Sequence, residues 1–135
     1  MLAALALIST LVTSGQLAPA EPAMPPARVQ IVAKCTAAAP ADGVVAGPVL
    51  QVIDGRSLCV ALGATPDRWV RVRLADVHNP EGRSALMAAA FAKDVVCSAT
   101  SRDQDGVVGR CILEGASLGQ RVQSEEIHAQ AVSWR

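Results

Sequence analysis

Two segments, Val52-Ile53-Asp54-Gly55-Arg56-Ser57-Leu58 and Val70-Arg71-Val72-Arg73-Leu74, constrain the fold more than any other part of this chain. Asp-Gly between two β-rich runs is a hairpin signal, because both residues tolerate the positive φ of a tight turn. The runs are residues 49–53 and the return at 57–62. Residues 63–68 hold Gly, Pro and Asp and read as a loop. From Val70 the chain alternates. Val70, Val72 and Leu74 share one face; Arg71 and Arg73 share the other. That pattern predicts a half-buried strand with cations on its open face.

Pro80 ends this stretch. Residues 83–93 are rich in alanine, with Met87 and Phe91 four apart and Leu86 and Ala90 beside them, which predicts a short amphipathic helix. Residues 95–99 and Val107–Leu113 read as two more strands, with a polar turn at 101–106. Glu114-Gly115 is a turn. Ser117-Leu118-Gly119-Gln120 fits a capping box, so a last helix is expected to start there. Three strands, a helix, two strands and a helix is the order of a five-stranded Greek-key barrel of the OB type, mainly β with two short helices. The expected layout is a signal at 1–20, an extended segment at 21–46 and the barrel domain at 47–135.

The start of the chain is mostly apolar up to Val12, interrupted by Ser9-Thr10, and too short to span a bilayer as a stable helix. Ala18-Pro19-Ala20 resembles a cleavage site, so residues 1–20 read as a secretory signal, although no Lys or Arg precedes the apolar run. A buried N-terminal helix is the alternative. Removal of the signal leaves no membrane span, and the expected location is secreted or periplasmic. The four cysteines suit an oxidising compartment. Cys97 and Cys111 fall on consecutive strands about a turn near residue 104, so they are expected to pair, leaving Cys35 for Cys59. Without a C-x-x-C, zinc is not expected. Net charge is zero and the aromatic residues are Phe91, Trp69 and Trp134 alone. Nothing in this balance suggests binding to nucleic acid by bulk charge, and so few rings argue against a single-strand binder that stacks bases.

At this point the residues resemble a known family. The hairpin 52–58 is similar to the V-x-D-G-D-T/S-L hairpin of the staphylococcal nuclease (thermonuclease) family. Arg71-Val72-Arg73-Leu74-Ala75-Asp76-Val77-His78-Asn79-Pro80-Glu81 resembles its R-x-R-L-x-G-I-D-A-P-E strand and turn. Residues 107–118 resemble its fifth strand and following helix. The resemblance covers about residues 47–130. It implies an OB barrel that hydrolyses phosphodiester bonds of DNA and RNA with calcium, in which carboxylates hold the metal, a glutamate orients or activates water and two arginines clamp the phosphate.

Arg73 matches the first arginine and Glu81 the glutamate. Other positions depart from the pattern. Asp54 is kept as a metal-ligand candidate, but the second aspartate of the hairpin is Arg56, and the aspartate before Ala-Pro-Glu is His78, followed by Asn79. The second arginine depends on register: without gaps the position is Gly106, and with a gap it is Arg110. Arg102 in the neighbouring loop is a further candidate. Arg56, Arg71 and Arg110 are thus candidate phosphate ligands. A divalent ion beside Arg56 meets like-charge repulsion and few oxygens, so no cofactor is expected, with calcium the alternative if the family site is retained. The expected partner is nucleic acid or another phosphate-bearing ligand; the oligomeric state is open. The sequence therefore reads as a nuclease-like barrel with weak or no catalysis. An active, metal-altered nuclease and a non-catalytic binding scaffold are the alternatives.

Overall fold

The computed structural model describes residues 31–133, with Gly15 as an isolated position before them. The export signal read at 1–20 lies, but for Gly15, outside the described residues. The hairpin forms where Asp-Gly predicts it. Strand β1 (Val44–Val52) pairs antiparallel with β2 (Ser57–Ala61), Val52 opposite Leu58. β1 is longer than the run at 49–53. An irregularity between Val49 and Gln51 bends it, so that its second half pairs with β2 and its first half, from Val44 to Pro48, with β4 (Asp94–Arg102). A 3-10 turn, Pro66–Arg68, leads into β3 (Trp69–Leu74), which pairs antiparallel with β2. In that turn the Thr65 side chain holds the Asp67 carboxyl below its usual pKa. β5 (Val107–Leu113) pairs antiparallel with β4 and parallel with β3, Val72 facing Val107.

That parallel pairing closes a five-stranded mixed barrel of OB type. One more strand, β6 (Ala116–Ser117), adds to β5, and two helices, α1 (Arg83–Ala90) and α2 (Leu118–Ser133), complete the element order. β6 is too short to carry an alternation signal, and the sequence gives no sign of it. α2 starts after Ser117 as expected but runs 16 residues, so it is not short. The Ser117 hydroxyl donates to Asp76 Oδ2 at 3.1 Å, tying the start of α2 to the segment after β3.

The alternating residues of all five barrel strands meet inside. Val45, Val52, Leu58, Val60, Val70 and Val72 are fully buried, and β-branched valines suit so narrow an interior. Each such side chain contributes roughly 1.5–3 kcal/mol relative to exposure. α1 closes one end with Leu86, Ala89 and Ala90, against Leu118 and Val122 of α2. Of the expected face, Leu86 and Ala90 are buried and Met87 packs against the core, but Phe91 does not join them. The helix ends at Ala90, Phe91 is 46% exposed, and Ala92 takes φ 64° as the chain turns toward β4. An i, i+4 pair buries both members only if the helix continues through the second, and here it stops short.

Both expected disulfides are present. Cys97 and Cys111 face each other across β4 and β5 with Cα atoms 4.0 Å apart. Cys35 reaches Cys59 on the outward side of β2, with Cα atoms 5.7 Å apart. Around that bond Ile53 and Trp69 form a small apolar cluster separate from the main core.

Candidate functional site

The hairpin tip is fixed first. The Asp54 carboxylate accepts the Arg56 N–H at 2.9 Å, an Asx turn of the kind Asp-Gly sequences favour. Gly55 donates its N–H to the Pro80 carbonyl at 2.9 Å. A Cβ at Gly55 would run into the Asn79 carbonyl and the Gly82 nitrogen, so the tip reaches the turn only because this residue is glycine. The Arg56 carbonyl in turn accepts the Leu74 N–H at 2.7 Å. Main-chain contacts thus gather Asp54, Arg56, the end of β3 and the Pro80-Glu81 turn at one corner of the barrel.

The turn has its own brace. The Asn79 side chain accepts the Glu81 N–H at 3.1 Å and donates to Glu126 Oε1 of α2 at 3.1 Å. Glu81 is exposed, as are His78 and Asn79. Asp76, His78, Asn79 and Glu126 line a cleft of ≈ 260 Å³ between this turn and α2. Arg83 belongs to the scaffold, since its Nε donates to the Val52 carbonyl at 3.0 Å.

Arg71 and Arg73 stand on the outer face of β3, opposite Cys59 and Ser57 of β2. Arg73 is not left to solvent alone. Its Nη2 lies 3.8 Å from Asp103 Oδ2, in an ion pair whose side chains are 45% and 38% exposed. Asp103 is itself held, because its Oδ1 accepts the N–H groups of Asp105 and Gly106, each at 2.9 Å. The 101–106 segment therefore presents a carboxylate to the cation that the sequence singles out. Reading that segment only as a polar turn misses this. Nothing in the spacing marks Asp103 as the partner of a residue thirty positions away.

Gly106 packs on the main chain of β3; a Cβ there would strike the Arg71 carbonyl, and φ is 156°. No arginine fits at that position. Arg110 is exposed on β5 opposite Ser98, two residues beyond Val108, the partner of Arg73. Arg102 does not reach the site in place of an arginine at 106. Its guanidinium donates to the carbonyls of Ala39, Pro40 and Ala41 at 3.5, 2.6 and 3.4 Å. The long segment before β1 supplies acceptors that a sequence reading does not place beside it. Among the described residues, the buried Nε of Arg56 has no hydrogen-bond partner.

The donor set does not fit calcium. That ion takes roughly six to eight oxygen ligands. Here one Asp54 oxygen already serves the turn, and Arg56 and His78 stand at positions where the resemblance implies aspartates. Among the described residues no group of three or more His, Cys, Asp or Glu is placed to hold a metal ion. Arg71 and Arg73 instead line a small cavity of ≈ 30 Å³ with Asp103, Asp105 and Gly106, while Arg56 stands at the hairpin tip, held by its main chain to the end of β3. Fixed guanidinium groups can grip a phosphate by paired N–H donors but cannot lower the pKa of a water as a metal does. No protein-family model matches the chain, and no curated protein matches it.

Proposed function

We propose that this chain is an exported, secreted or periplasmic barrel of the staphylococcal-nuclease-like kind that binds a phosphate group of nucleic acid or a similar ligand through fixed arginines and hydrolyses phosphodiesters weakly or not at all. One observation carries the reading. Arg56, with a buried and unmet Nε, sits at a hairpin tip bolted to the Pro80-Glu81 turn, beside the strand that bears Arg73. A cation occupies the place where the resemblance implies a metal-holding carboxylate.

In this reading an incoming phosphate competes with Asp103 for Arg73. The exposed ion pair is worth at most about 1 kcal/mol, so the competition is winnable. The phosphate gains two parallel N–H donors from the guanidinium fork, and Arg71 adds charge along the same strand face. Without a metal, Glu81 has no strongly polarised water to deprotonate, which is why catalysis is weak or absent. Two disulfides and the apolar start of the chain support an oxidising, exported setting.

A second reading keeps catalysis. Arg73 and Glu81 both remain, and the Gly55–Pro80 hydrogen bond holds the hairpin against the glutamate turn. One experiment separates the two. Purified protein is incubated with single-stranded DNA and RNA, in calcium and in chelator. Binding without cleavage, lost in Arg73→Ala and weakened by salt, supports the first. Calcium-stimulated cleavage abolished by Glu81→Gln supports the second and sinks the first.

A further inference from the structure

The residues before β1 cross the barrel face on which Arg71 and Arg73 stand. Gln51 of β1 holds the near end, donating to the Val32 carbonyl at 2.9 Å and accepting the Lys34 N–H at 2.8 Å. Cys35 is bonded to Cys59 of β2. Ala37 then forms a parallel bridge with Val70 of β3, its N–H donating to the Trp69 carbonyl at 2.9 Å. Arg102 clamps the far end at residues 39–41. The crossing thus runs over β1 and β2, tied at each, and then joins β3 at the edge that β5 leaves unpaired, where Ala37 and Ala39 pack against the main core.

Three consequences follow for the open face. An OB barrel usually takes a nucleic-acid strand across β2 and β3, between the loops that join β1 to β2 and β4 to β5. Here the half of that face nearer Ala61 and Trp69 is covered. What remains outward on β3 is Arg71 and Arg73, a span of roughly 7 Å at strand rise. OB faces that hold a running strand accommodate about 4–16 nucleotides. Trp69, the one aromatic of this face among the described residues, lies half-buried against the disulfide and donates its Nε1–H to the Gly63 carbonyl at 3.0 Å. It offers no platform for stacking a base. A cleft of ≈ 270 Å³ lies between residues 36–39 and the 102–106 loop, beside this short stretch.

We propose that residues 32–41 wall off the site, so that it takes a terminal phosphate at the end of a polynucleotide and rejects a strand running through. The inference rests on the phosphate-binding reading and names its substrate class: phosphomonoester ends. Arg71 and Arg73 recognise the charge, and the wall supplies the selectivity.

The test uses the full chain with both disulfides formed. Three single-stranded DNA probes of one sequence are titrated: linear with phosphate at both ends, linear with hydroxyl ends, and covalently closed into a circle. The phosphorylated linear probe is expected to bind about tenfold or more tighter than the circle, a difference of about 1.4 kcal/mol. Equal affinity for the circle and the phosphorylated probe would overturn the wall and leave phosphate binding standing. No binding by any probe would overturn both. Two variants then locate the cause: Arg102→Gln, which frees one end of the crossing and keeps the disulfide, and Cys35→Ser with Cys59→Ser. Gain of circle binding by either supports the wall. Full discrimination retained in both folded variants would overturn it.

Discussion

A single carboxylate decides how free the central cation is. Asp103 is anchored by two main-chain N–H groups and pairs with Arg73 across an exposed gap. Asp103→Asn keeps an acceptor for the loop and removes the charge. It is expected to raise affinity for phosphate-bearing probes, by about fivefold at most, since the pair is worth no more than about 1 kcal/mol. Fluorescence titration at low salt reads this. Unchanged affinity would mean that Arg73 does not meet the ligand. Two backbone positions allow separate checks. Gly106→Ala places a Cβ against the Arg71 carbonyl and is expected to cost about 1–3 kcal/mol in urea unfolding. Ala92 holds a left-handed conformation with a side chain that disfavours it. Ala92→Gly is expected to stabilise by about 0.5 kcal/mol, the left-handed penalty of ~1–2 less the ~0.4–1 that glycine adds in chain entropy. At this scale the sequence shows which residues carry charge. It does not show which oppose one another. Arg102 and Asp103 are neighbours in the chain, yet one clamps the N-terminal crossing and the other holds Arg73.

Elements were legible in proportion to their regularity. β3 alternates cleanly over six residues and forms where the pattern puts it. β6 has two residues and no pattern to read. α1 exists as expected, but its inward face follows from where the helix stops: Leu86, Ala89 and Ala90 go in, and Phe91 stays out. Leu86→Ala should therefore cost about 2–5 kcal/mol, the ordinary range for a buried leucine. Phe91→Ala should cost clearly less in the same denaturant series, and the reverse order would contradict this packing. The crossing before β1 shows in the sequence only as extended chain. Its disulfide partner was legible by elimination, whereas its bridge to β3 and the Arg102 clamp depend on spatial neighbours that spacing does not encode. Replacing Cys35 and Cys59 by serine opens a 24-residue separation and is expected to lower stability by about 3 kcal/mol. Thermal unfolding of the oxidised parent and the variant measures it.

At the scale of the whole molecule, the order of elements suits the barrel without fixing it, and the resemblance of the 52–58 hairpin and the 71–81 strand and turn carries the rest of that expectation. The β3–β5 pairing that closes it is a long-range contact of the kind that only a complete fold reveals. What we propose the barrel does turns on charge at one corner. In the proposed reading, a guanidinium at position 56 and a histidine at 78, where the resemblance implies aspartates, leave too few oxygens for calcium, and Arg71 and Arg73 hold a phosphate without one. Calorimetric titration of a terminally phosphorylated oligonucleotide, run once in chelator and once in calcium with the products resolved afterwards, addresses this directly. The account predicts the same affinity in both, a loss of binding as salt rises, and intact oligonucleotide at the end. Binding that requires calcium, or strand scission that Glu81→Gln removes, would contradict it.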